Sequence, residues 1–213
     1  MNTKVLNFIK AFVTYFLLTL GAAVVVVPLF WMVSTSLKGP DALFTYPPEW
    51  IPRPPVWRNY IEAWKVLPFG RFLWNTLFIT ILAMVAELLT TSLVAFGFAR
   101  FQFKGRNVLF FILLSTMMLP GVVTMIPSFL LWSKLGQVDT FDPLTIGAWF
   151  AWGPAYIFMM RQFFLTIPRE MEEAALIDGA NVFQIYWHIM LPLIRPALLA
   201  IGVLSFQGNW NNF

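Results

Sequence analysis

Residues 11–37, AFVTYFLLTLGAAVVVVPLFWMVSTSL, contain no charged side chain. A run of that length exceeds the ~20 apolar residues that a helix needs to cross a bilayer core. Similar runs recur along the chain. No charge lies between Arg106 and Lys134, between Asp142 and Arg161, or after Arg195, and Glu87 is the only charge between Arg71 and Arg100. These runs are too long for buried strands, and in lipid a helix satisfies its own backbone hydrogen bonds. Composition agrees: 59% of the 213 residues are hydrophobic and 11% are charged, against about 25% charged in soluble domains. The reading is all-α, a polytopic membrane protein with about five transmembrane helices.

The spans are expected at about Ala11 to Val33, Phe72 to Phe98, Val108 to Trp132 and Pro143 to Met160, with a fifth starting near Leu193. The first is too long for a cleaved signal peptide and lacks a small-residue cleavage site, so it reads as a retained span. Between Ser34 and Arg71, Pro40, Pro47, Pro48, Pro52, Pro54 and Pro55 disfavour regular helix, leaving Tyr60 to Val66 as a short interfacial one. Trp50, Trp57, Trp64 and Trp74 suit the headgroup region, with substrate contact as the alternative. Cysteine is absent and His188 is alone, which excludes disulfides, thiolate metal sites and paired catalytic histidines. The net charge of +4 resides in loop Lys and Arg and reads as membrane-orienting charge, not as a nucleic-acid surface.

Orientation follows from those residues. A cytoplasmic N-terminus puts Lys4, Lys10, Arg100, Lys104, Arg106, Arg161, Arg169 and Arg195 inside, mostly in short segments. Lys38, Arg53, Arg58, Lys65, Arg71 and Lys134 then lie outside, most of them in one long loop, which satisfies the positive-inside rule. The polar segment between the fourth and fifth spans then faces the cytoplasm.

That segment reads Glu173-Ala174-Ala175, three residues ending in Asp178, Gly179, nine residues, then Ile189-Met190-Leu191-Pro192. Pro168 suits a first helical turn, and Glu170, Glu172 and Glu173 complement the positive end of the helix dipole. Ala174 and Ala175 keep one face low, so that another protein surface can approach the backbone. Gly179 accepts the positive φ that separates two helices. A second helix over about Asn181 to Met190 carries Phe183, Tyr186 and Trp187, and Pro192 separates it from the fifth span. On its own this pattern also fits an amphipathic interfacial helix that merely joins two spans.

The spacing resembles the EAA loop of the integral-membrane subunits of binding-protein-dependent ABC importers. The likeness extends to Asn75-Thr76, to Ala95 through Arg106, to Met117-Met118-Leu119-Pro120 with Ile126-Pro127, to Phe158 through Pro168, and to Trp210-Asn211-Asn212-Phe213. These stretches resemble carbohydrate-uptake permeases of the maltose type, specifically the G-type partner. The resemblance implies one importer transmembrane domain over residues 1–213, with its core permease region from about 72 and a cytoplasmic coupling helix-turn-helix over 168–192. It implies a bacterial or archaeal plasma (inner) membrane location and a heterodimer with a second, F-type permease. An ABC ATPase dimer and an extracytoplasmic solute-binding protein complete the complex. Glu173, Ala174, Ala175, Asp178, Gly179, Ile189, Leu191 and Pro192 would dock on the ATPase. The chain has no Gly-x4-Gly-Lys-Ser/Thr loop, so it is expected to bind no cofactor and to be no enzyme, ATP and Mg2+ belonging to the partner. Family members continue through the rest of the fifth span and a sixth, so the chain reads as truncated in its fifth span.

Polar residues within the spans are the remaining candidates. Glu87 lies mid-span, at a depth where a carboxylate costs ~2.5–3.5 kcal/mol to insert and usually faces a bundle interior or a water-filled cavity. It reads as either a pathway residue or an interhelical bond. Gln207, Asn209, Asn211 and Asn212 cluster with Phe206 and Trp210, a mixture of amides and aromatic faces that suits a sugar, or that bonds neighbouring helices. Pro120, Pro127 and Pro154 read as kinks. The function expected is the permease subunit of an ATP-driven importer for a sugar or sugar derivative. A polyamine or phosphate importer is the alternative, and a stand-alone secondary transporter would need more intramembrane ionisable groups than Glu87.

Overall fold

A computed structural model describes residues 3–211, with side chains from residue 7 onward. The described residues are helical without a strand. The chain divides near Gly70 into two compact units.

The first unit is dominated by α1 (Thr3–Ser36). Its most apolar stretch buries nothing inside the unit, and between Asn7 and Ser36 only Ser34 is buried, which in water would be a liability and in a bilayer is a lipid-facing surface. Beyond it the proline-rich stretch runs without regular helix, as expected, apart from a 3-10 turn at Pro40–Ala42 and α2 (Arg58–Val66). Side chains fasten this stretch to the end of α1. Asn59 Nδ2 donates to the carbonyls of Ser36 and Lys38 at 2.9 and 2.8 Å. The ammonium of the buried Lys38 sits 3.9 Å from the Trp31 ring centroid, a cation–π contact that stabilises a charge removed from water. Trp31 meets Trp50 edge-on at 5.2 Å. Trp50, Trp57, Trp64 and Trp74 are all more than half exposed, which leaves each open to headgroups or to a solute.

The second unit carries α3 (Phe69–Arg100), α4 (Arg106–Ser115), α5 (Gly121–Lys134), α6 (Asp142–Trp149), α7 (Pro154–Thr166) and α8 (Glu170–Ile177). It ends with α9 (Val182–Leu193) and α10 (Arg195–Trp210). In α3 the buried positions are Thr80, Ala83, Ala86, Thr91, Ser92, Ala95, Phe96 and Ala99. All but Phe96 are small, so other helices approach its backbone closely, the usual way helices pack where lipid supplies no hydrophobic drive.

Two expected spans are broken. The third is not one helix over 108–132: α4 and α5 meet at 98°. Leu119 is extended at φ −78°, ψ 117° before Pro120, because the proline ring disfavours a helical conformation in the residue preceding it. The fourth splits into α6 and α7, with Ala151 in the left-handed region at φ 53° and Pro154 opening α7. Pro192 does not separate α9 from the fifth span. It lies in the last turn of α9, and the 74° bend falls at Ile194. Thus α1 and α3 are long and apolar enough to cross alone, and the bent pairs α4–α5 and α9–α10 bring the number to four if each is one span. The remaining expected span is the one that α6 and α7 divide between them, each too short to cross alone.

The buried core gathers at one end of this unit. Ala95, Phe96 and Ala99 of α3 meet Ile157, Met160 and Phe164 of α7, Ala175 of α8, Ile185, Tyr186 and Met190 of α9, Ile194, and Ala197 and Ile201 of α10. Phe96 is its hub, with ring centroids of Phe164 and Tyr186 at 5.5 and 5.2 Å. Tyr186 Oη lies 2.7 Å from Ser92 Oγ, both groups being buried. Ser92 donates to the Leu89 carbonyl at 3.0 Å, so the tyrosine hydroxyl is the donor between them. Ser92→Ala would strand that donor at about 1–3 kcal/mol, whereas Tyr186→Phe leaves Ser92 bonded and costs about 1 kcal/mol. Thermal unfolding of the detergent-solubilised protein should therefore rank Ser92→Ala as the more damaging change.

Candidate functional site

The segment with the EAA spacing forms two short helices joined at Gly179. Glu170, Glu172 and Glu173 occupy the first turn of α8. Pro168 stands just ahead of that helix, because the first helical hydrogen bonds return to the Arg169 carbonyl. Gly179 takes φ 83°, and a Cβ placed there would meet nothing within 4 Å. Asn181 then opens α9 with a capping box: its Oδ1 accepts from the Gln184 N–H at 2.9 Å, and Gln184 Oε1 accepts from the Asn181 N–H at 2.8 Å. That pattern was available in the sequence as Asn-x-x-Gln. The middle of α9 widens into a π turn over Tyr186–Met190.

The expected docking residues divide between two faces. Glu173, Ala174, Asp178 and Gly179 are exposed. Ala175 is buried in the chain's own core, and Ile189 and Leu191 pack against that core. The low face around Ala175 is therefore used internally, to seat α8 on the spans. Outward the loop offers apolar surface that the motif does not name: Ile177 is 85% exposed and Phe183 70%.

A second tie fixes the loop. Arg100, closing α3, has 4% of its side chain exposed, and its Nε lies 2.6 Å from Glu172 Oε1, whose side chain is 18% exposed. The two atoms are too poorly aligned to hydrogen-bond, so this is a charge contact; Arg100 also donates through Nη2 to the Ile167 carbonyl at 2.8 Å. Burial raises the Glu172 carboxyl above its ordinary value, and the Arg100 and Arg169 guanidiniums oppose that shift. Arg161 similarly joins α7 to the end of α3, donating to the Phe98 carbonyl at 3.3 Å, and its guanidinium lies 4.4 Å from the Phe110 ring centroid of α4.

Away from the loop, α3, α5, α6, α7 and α10 line a half-open cavity of about 600 Å³. Glu87 and Asn209 both line it. Gln207 and Asn211 do not: both are exposed, and Asn211 Nδ2 donates to the Gln207 carbonyl at 2.9 Å. Trp210 stacks on Phe206 at 5.5 Å, and Asn212 lies outside the described residues. Successive residues turn about 100° around a helix, so a cluster along the sequence need not share a face. The cavity's other polar and aromatic groups were missed: Thr124, Ser128, Trp132, Trp152, Tyr156 and Ser205. Ser205 Oγ donates to Glu87 Oε2 at 2.6 Å, and Asn209 Nδ2 donates to the Ser205 carbonyl at 2.9 Å. A second cavity of about 560 Å³ lies between the first turns of α3, with Asn75 and Thr76, and residues 138–144.

The fold matches the crystal structure of a bacterial ABC transporter involved in the import of the acidic polysaccharide alginate, with a TM-score of 0.86 and 30% identity, over 97% of this chain and 72% of that one. Residues 88–213 match the family described as binding-protein-dependent transport system inner membrane component. The chain belongs to this family. The permease is 30% identical over 206 residues to the diacetylchitobiose uptake system permease protein NgcG of Streptomyces coelicolor, covering 95% of this chain and 67% of that protein. It is also 30% identical to the sn-glycerol-3-phosphate transport system permease protein UgpE of Yersinia enterocolitica, over 92% of this chain and 72% of that protein. It is therefore an ABC importer permease, an inner-membrane transport subunit and not itself an enzyme.

Proposed function

We propose that the permease forms half of the translocation pathway of an ATP-driven importer for a sugar or sugar derivative, with its N-terminus cytoplasmic and its EAA loop docked on a partner ATPase. The reading rests on the division of the loop into two faces. Ala175, Ile185, Tyr186 and Met190 anchor it to the helices that line the cavity, while Glu173, Ala174, Ile177, Asp178 and Phe183 remain outward. A coupling element requires both, one face to receive motion and one to transmit it. A solute-binding protein and a second permease complete the pathway, and ATP and Mg2+ belong to the ATPase. Glu87 and Asn209 line the solute route. The named substrates of the relatives, diacetylchitobiose, glycerol 3-phosphate and alginate, favour a carbohydrate-like solute.

Co-expression with the ATPase and second permease from the same genome tests this. The three chains are expected to purify together, and uptake in vesicles should require ATP and the binding protein. Uptake by this chain without an ATPase would instead make it a secondary transporter.

A further inference from the structure

The relatives include carriers named for anionic solutes, so family membership leaves the charge of the solute open. We infer that the cavity lined by Glu87 selects uncharged or amino-bearing, hydroxyl-rich solutes and disfavours anions. This rests on the proposal that the cavity is part of the solute route.

Among the described residues lining the cavity, Glu87 is the only charged one. A Cβ at residue 153 would lie 2.6 Å from Glu87 Oε1, so only glycine leaves the carboxylate that position. Ser205 donates to the other oxygen at 2.6 Å and is itself held by Asn209. Oε1 accepts no hydrogen bond from Ser205, so it can take a hydroxyl or ammonium hydrogen of a solute. Trp132, Trp152 and Tyr156 supply ring faces for the C–H surface of a sugar, and Thr124 and Ser128 supply hydroxyls. A phosphate or carboxylate entering the same space meets like charge, or forces Glu87 to take up a proton, with no basic group in the lining to offset either.

The chain has no cysteine, so a single Ser128→Cys reports on the cavity without background. In the assembled importer in membrane vesicles, the thiol is reacted with methyl, ethylammonium and ethylsulfonate thiosulfonates, and labelling of this chain is followed. The cation-to-anion rate ratio, normalised to a free thiol in solution, is expected to be raised about fivefold or more, the range for one charge at partly buried distances. Adding Glu87→Asp should keep the bias, and adding Glu87→Gln should abolish it. A ratio equal to that of the free thiol with Glu87 present overturns charge selection while leaving the solute route intact. No reaction with even the neutral methyl reagent overturns the solute-route reading itself. Because the first ratio is taken with Glu87 unchanged, failure of a Glu87 variant to assemble does not block the test.

Discussion

Replacing Glu172 by alanine is expected to destabilise the permease by about 3–5 kcal/mol, the cost of leaving a buried cation without its counter-charge. Arg100 cannot escape by losing its proton, and its side chain is almost wholly enclosed. Thermal unfolding in detergent reads the loss directly, and cellular abundance should fall with it. Removing both charges with Arg100→Met and Glu172→Met should restore much of the stability, since a buried ion pair gains little over apolar packing of similar volume. The double variant then isolates the pair's second role. If the contact holds α8 to the end of α3 as a positioning element, the stable double variant should hydrolyse ATP while moving fewer solute molecules per ATP. An unchanged stoichiometry would confine the pair to stability.

Replacing Gly179 by aspartate should abolish uptake while the chain still folds. Left-handed backbone costs an ordinary residue about 1–2 kcal/mol, and aspartate is among the few that visit it readily. A Cβ at residue 179 meets no neighbour within 4 Å, so the chain itself leaves room for the new side chain beside the exposed face assigned to the ATPase. Gly179→Ala separates the two effects. Alanine tolerates φ 83° less well than aspartate but adds only a methyl group. If backbone strain governs function, alanine is the worse variant; if occupied docking space governs it, aspartate is. The proposal requires aspartate to be worse, with the ATPase lost on co-purification. Wild-type uptake by the aspartate variant would sink the coupling assignment.

Much of the fold was legible because hydrophobic length is a one-dimensional property. The apolar centres of α1 and α3 follow from long runs in which Glu87 is the one charge, and α2 follows from where the prolines stop. The breaks were not legible to the same degree. Pro120 and Pro154 stand in the sequence, but in a membrane a proline can kink or sever a helix, depending on which neighbours satisfy the freed carbonyls. The candidate site divides in the same way. Gly179 and the EAA spacing are local and could be read, as could the missed capping box at Asn181. Arg100 with Glu172, and Glu87 with Ser205, pair residues far apart in the chain. Only the folding of α8 onto α3, and of α10 onto α3, brings them together. Asn209 was separated from Gln207 and Asn211 by helical geometry, which a cluster in sequence conceals.

The buried core has a mechanical consequence. Its thirteen residues are not spread along the bundle but crowd around the loop, and close-packed interiors are stiff. A push delivered to α8 or α9 is therefore borne by packed side chains beneath both helices. Phe96, Met160, Ala175, Tyr186 and Ala197 must shift as one block, carrying the adjoining ends of α3, α7 and α10 with them. The helix breaks lie farther along, at the bend before Pro120 and at the glycine-containing segment between α6 and α7, and Trp152 of the second lines the cavity. The molecule is thus a rigid handle with its give placed at the chamber wall, so a displacement at the loop would be spent on reshaping that wall.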